Sequence, residues 1–157
     1  MRAHATAAPR YPAALALAGR ITWGRPQSAL TAAIAACEAP EAVRTGLHLL
    51  NGDWDAAHKI AQELDSALGH HWHALVHRHE PDYENSKYWL RRVGNSPIYP
   101  RLAQAAQQEG QDAAVAPRGR WNAERFTDCF AAPEAPPWTR RLDELEIRTL
   151  LEHCLAT

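Results

Sequence analysis

The 157-residue chain has only three cysteines, Cys37, Cys129 and Cys154, far apart and never in a Cys-x-x-Cys pair. That number and spacing argue against a disulfide scaffold and a thiolate zinc site, and fit reduced thiols in a cytoplasmic protein. An excess of charge of one sign is missing too. Lys and Arg total 17 against 18 Asp and Glu, a formal net charge of −1 with a pI near 6.7. No global field therefore favours nucleic acid or an anionic membrane as a partner. No apolar run approaches the roughly 20 residues a membrane span needs. Alternating β-branched runs with hairpin chemistry are absent, so no strand ladder is expected. A phosphate-binding glycine loop, a dinucleotide fingerprint and a nucleophile motif are all lacking, which disfavours nucleotide chemistry. Phenylalanine is scarce as well, two residues beside six tryptophans. Each Trp brings a large apolar surface with one N–H to satisfy, suited to pocket walls and helix seams.

What is present is helical periodicity. Residues 1–25 carry four arginines and a short apolar patch interrupted by Pro9 and Pro12, and read as a loose N-terminal arm without a signal-peptide core. From Pro26 onward the chain reads as one helical domain, 26–157. The 28–37 stretch is Ala-rich, with Leu30, Ile34 and Cys37 at helical spacing. Pro40 opens a helix with Val43, Leu47 and Leu50 in a stripe and Gly52 as its stop. Asp53 is placed to cap a helix over about 54–64, with His58 at the edge of its buried face. Ser96 and Pro97 start a further helix that runs to Gly110. Residues 111–120 lack periodicity and read as a surface loop, 121–130 as a short helix, and 132–137 as a rigid linker. In the last helix, Leu142 and Leu145 fall opposite Ile147, Leu150, Leu151 and Cys154, so it is either wedged between two partners or kinked. The expected fold is all-α: a compact bundle of about seven helices with stacked antiparallel helical hairpins.

Residues 69–94, GHHWHALVHRHEPDYENSKYWLRRVG, concentrate the chemistry. Five of the nine histidines lie within positions 70–79. A helix over about 69–79, a break at Pro81 and a second helix over 82–93 capped by Asp82 are expected. His73 and His77, four apart, share a helix face, the spacing used when two imidazoles must reach one ion. A third imidazole, His58, is expected from the neighbouring helix, with Glu80 or Asp82 completing or orienting the set. His58, His73 and His77 are thus the candidate ligands of one divalent transition metal, zinc first, with iron, nickel and manganese open. The same three histidines with Glu80 and Asp82 are the candidate catalytic groups, since imidazole beside a carboxylate also serves acid–base chemistry without a metal. Arg78, Tyr83, Lys87, Tyr88 and Trp89 are the candidate substrate-binding groups. His4, His48 and His153 are expected to lie outside the site.

Two resemblances accompany this reading. GDWDAA at 52–57 and SKYWLRRV at 86–93 resemble helical-hairpin repeats of the tetratricopeptide or Sel1 type, though no 34-residue period is sustained. Over about 43–103 the chain resembles a family of uncharacterised bacterial and fungal proteins. The match is carried by LL at 49–50, HKIAQ at 58–62, WHALVHRHEPDY at 72–83 and NSKYWLRRVG at 85–94. That family carries an aromatic where this chain has His71, which gives His71 no part in the shared pattern. The resemblance implies which residues matter and not what they do. The expected function is a small-molecule enzyme of hydrolase or lyase type, or a binding protein, with a His/Glu/Asp-lined pocket between helices. The alternative is a helical interaction module that holds a protein partner without catalysis.

Overall fold

The structure, a computed structural model, describes residues 8–157, and those residues form helices and connections with no strand among them. In chain order the helices are α1 Pro12–Arg20, α2 Ser28–Ala36, α3 Glu41–Asn51, α4 Trp54–Ala61, α5 Ala67–His79, α6 Tyr83–Val93, α7 Tyr99–Gln108, α8 Asp112–Val115, α9 Ala123–Phe130 and α10 Pro137–Ala156, with a 3-10 turn Pro117–Gly119 between α8 and α9. The fold class is all-α as expected, but the described residues hold ten α-helices and not about seven.

Eight of the ten match the stretches read as helical from the sequence, and α1 and α8 are the additions. The N-terminal arm is helical from Pro12, which sits in the first turn, where proline's missing N–H costs nothing. Ala14 and Leu17 of α1 are buried in the core. The expected loop 111–120 contains α8, whose single turn is too short to show periodicity; Val115 and the following Ala116 are buried. The last helix is continuous over Pro137–Ala156. It packs on α3, α7 and α9, which is why it buries residues on several sides.

At the centre stands α3, with Val43, Leu47, Leu49 and Leu50 inaccessible and α1, α2, α4, α5 and α10 around it. Its crossing with α5 is close because residue 46 is glycine. A Cβ there would lie 2.7 Å from the fully buried Trp72 indole. α3 ends at Gly52, whose φ of 82° turns the chain into α4.

The start of α5 is fixed by Ser66, whose hydroxyl accepts from the Gly69 amide at 3.0 Å. α5 ends at His79, and Pro81 and Asp82 turn the chain back along α5 as α6. The Asp82 carboxylate caps α6 by accepting from the Asn85 amide at 3.2 Å. Ser86, fully buried, donates to the Ala74 carbonyl at 2.7 Å and locks the register of α6 on α5. That register brings Trp89 onto the histidine face.

Candidate metal centre

α4 and α5 bring His58, His73 and His77 together. One ring nitrogen of each lies within 4.8 Å of the other two. His73 and His77 stack one turn apart on α5, ring centroids 4.7 Å apart, and His58 meets both edge-on from α4 at 4.9 and 4.8 Å. The Nε2 atoms of His58 and His73 are 3.1 Å apart. Trp89 of α6 covers the outer face of His73, stacked at 4.3 Å.

Glu80, just past the end of α5, reaches back to the same group. Its Oε1 is 2.6 Å from His58 Nδ1 and its Oε2 is 3.3 Å from His77 Nδ1. One carboxylate thus faces two imidazoles from their far side, leaving the His58 Nε2 edge turned inward. Asp82 Oδ2 stands 3.9 Å from His77 Nδ1 at the rim, half exposed. His73 and His77 are buried while His58 and Glu80 are 27 % and 26 % exposed, so the group opens to solvent on the α4 side.

Burial is the main reason the His73 ring is hard to protonate. With the neighbouring His77 and His58 adding to it, the pKa falls from 6.5 to about 4. The His77 pKa is also lowered, by burial first, against the opposing pull of Glu80. Both rings are therefore neutral near pH 7, the form that ligates a metal.

The donor set fits a first-row ion. Tetrahedral zinc with Zn–N bonds of about 2.0–2.1 Å needs ligand nitrogens about 3.4 Å apart. The His58–His73 pair is already at that scale. A carboxylate on the far nitrogen of a ligating imidazole is the usual orienting arrangement.

The other expected site residues divide. Trp89 belongs to the group. Tyr83, half-buried in the first turn of α6, makes no hydrogen bond to the triad. Lys87 is paired at 2.9 Å with both Glu84 and Asp128, and Tyr88 is 47 % exposed. Arg78 faces away from the triad, against the expectation that it shares the pocket. One residue past His77 on a helix is a turn of about 100°, which points Arg78 into the interface with α9 and α10. There its guanidinium donates to Glu146 at 2.6 Å, Asp143 at 3.2 Å and Thr127 at 3.2 Å, and lies 4.9 Å from the Phe126 ring.

Two histidines join that second cluster. His71 Nε2 lies 3.1 Å from Glu146 Oε1, so this ring is a buried structural partner. His79 Nε2 lies 2.9 Å from Asp143 Oδ2, with the ring stacked on Trp54 at 4.5 Å. Burial alone would raise the Glu146 carboxyl; Arg78 and His71 more than offset it and hold it at about 2. The sequence signal for this cluster is slight: Asp143 and Glu146 lie three apart in a helix that also carries Arg140, Arg141, Glu144, Arg148 and Glu152.

His48 lies outside the triad, its Nδ1 3.0 Å from Asp53. That explains why Asp53 gives α4 no side-chain cap. His153 sits near the end of α10, away from the triad, and His4 falls outside the described residues.

Among the described residues, no helix is long and apolar enough to cross a membrane. No known family matches the chain, and no curated protein or solved structure matches it either.

Proposed function

We propose that this chain is a metal-dependent small-molecule enzyme whose centre is one divalent transition metal, zinc first, held by His58, His73 and His77. The observation that carries the reading is the convergence of three ring nitrogens from two helices within 4.8 Å, two of the rings also facing one carboxylate. A purely structural set of histidines would not need the neutral, buried His73 ring to face His58 across 3.1 Å.

Three protein ligands and a solvent-facing side are the pattern of a catalytic site, since structural sites close all four positions. The ion would supply a Lewis acid that polarises a substrate oxygen and acidifies water, the chemistry of a hydrolase. Glu80 fixes the orientation of His58 and His77. Asp82, half exposed, stands 3.9 Å from the same His77 nitrogen and adds a second carboxylate to that orienting side. Trp89 holds the His73 ring by stacking and keeps water from its outer face.

Titrating chelator-treated protein with Zn²⁺ while following its melting temperature tests the reading. Metal that binds only the folded chain raises that temperature by mass action. The wild type is expected to gain stability up to one equivalent, and His73→Ala and His77→Ala to gain none. Equal responses of wild type and variants would overturn the centre. Metal binding without turnover of any small ester, amide or carbonyl compound would leave a metal-binding protein and remove the enzyme. A protein partner bound in place of small molecules would favour the interaction module.

A further inference from the structure

A cavity of about 350 Å³ lies apart from the three histidines, none of which lines it. It is bounded by the α1–α2 connection, the end of α3, the start of α4, the ends of α5 and α9 and one face of α10. That volume is within the range of small-molecule sites, about 300–1,000 Å³. Its walls are largely apolar: Trp23, Leu50, Trp54 and Phe130. We propose that this cavity binds a small carboxylate with a flat apolar body, its anionic end on Arg140 and its body against Trp23 and Trp54.

The polar groups around the cavity set the charge of the occupant. Arg140 is part of its lining, and among the described residues its guanidinium forms no ion pair or hydrogen bond. The guanidinium lies directly against Gly24, where an added Cβ would fall 2.1 Å from Nη2. Gly24 has a φ of 76°, so both the turn and the approach of Arg140 call for glycine. Trp23 Nε1 is a buried donor with no acceptor. The acceptor in the wall is already engaged: Asp143 Oδ1 takes Arg78 and Oδ2 faces His79. Unmatched donors therefore outnumber unmatched acceptors, and a ligand has to bring acceptors.

The aromatic walls set the body. Trp54 is stacked against His79, interplanar angle 18°, and Trp23 meets the same imidazole edge-on at 81°. The two indoles are thus held at fixed angles by a ring that Asp143 anchors. A planar hydrocarbon body gains dispersion and burial on such surfaces, while the carboxylate meets the planar fork of Arg140 in a bidentate pair. An amine would meet Arg140 as a like charge.

Calorimetric titration of the full chain with phenylacetate and 3-phenylpropionate tests this, with phenylacetamide and phenethylamine as controls. The carboxylates are expected to bind, and the amide and amine at least tenfold more weakly. Arg140→Gln should weaken the carboxylates at least tenfold without shifting the melting temperature, because the side chain is exposed and unpaired. Trp23→Phe should also weaken them, by removing the free N–H. His73→Ala should bind them as the wild type does, since the cavity is separate from the three histidines. The proposal is overturned by failure of both carboxylates to bind at millimolar concentration, by equal binding of the amide or amine, or by wild-type affinity in Arg140→Gln. Loss of binding in His73→Ala would also overturn it, because it would place the anion at the three histidines.

Discussion

His58 and His73 face each other through their Nε2 atoms at 3.1 Å. With Glu80 on the Nδ1 of His58, that ring carries its proton on Nδ1 and turns an acceptor lone pair inward, so His73 Nε2–H is the donor between them. A metal ion held by both Nε2 atoms would need His73 in its other neutral tautomer, with the proton on Nδ1.

Glu80→Gln follows as the first test. The amide can still accept from one imidazole, but the charge that raises the basicity of both rings is gone. Metal affinity, measured by competition with a chromophoric chelator, is expected to fall about 10- to 100-fold, the usual loss for an orienting partner. The far-ultraviolet dichroism should stay as in the wild type, because Glu80 lies outside the core.

Arg78→Ala should act on stability. The guanidinium is fully buried between Asp143 and Glu146, and its removal leaves two carboxylates without their cation. Breaking a buried pair in this way costs about 3–5 kcal/mol. Urea unfolding should show the midpoint falling accordingly, with the metal content of the remaining folded protein unchanged.

Glu146 sets an acid limit. Its carboxyl is lowered from 4.5 to about 2 in the folded chain, so the folded state binds fewer protons than the unfolded state over that window. The stability it contributes is complete above about pH 4.5 and is lost as pH falls from there towards 2. Glu146→Gln should be less stable at neutral pH, and its stability should fall less steeply below pH 4.5. Urea midpoints across pH 2–7 check both.

Gly46→Ala separates packing from helix propensity. Alanine in place of glycine favours a helix by about 1 kcal/mol. Here the added methyl meets Trp72 at 2.7 Å, in a core where the indole has no free space. Overpacking of this kind costs about 1–3 kcal/mol, so a net lowering of the melting temperature is expected.

The fold class was legible because apolar spacing of three and four recurs through α3, α4 and α5 and no competing alternation exists. The break at Pro81 and the Asp82 cap were legible for local reasons, steric and capping. The short α8 was not, since one turn shows no period, and α1 was hidden because Pro12 reads equally as a breaker or a helix start. In the site, His73 and His77 follow from one helix's geometry, and His58 from the next helix's inward edge. Arg78 did not, because its partners Asp143 and Glu146 lie more than 60 residues away and only the tertiary fold joins them. His71 was hidden for the same reason. So was the cavity by Arg140, which draws on five separate segments of chain.

The central claim is the metal, and elemental analysis of protein purified without a polyhistidine tag tests it most directly. Close to one first-row transition metal per chain is expected in the wild type, and none in His73→Ala or His77→Ala. A wild type free of metal, with a melting temperature that neither a chelator nor added Zn²⁺ changes, would contradict the account and leave the three histidines as hydrogen-bonded groups in a helical groove.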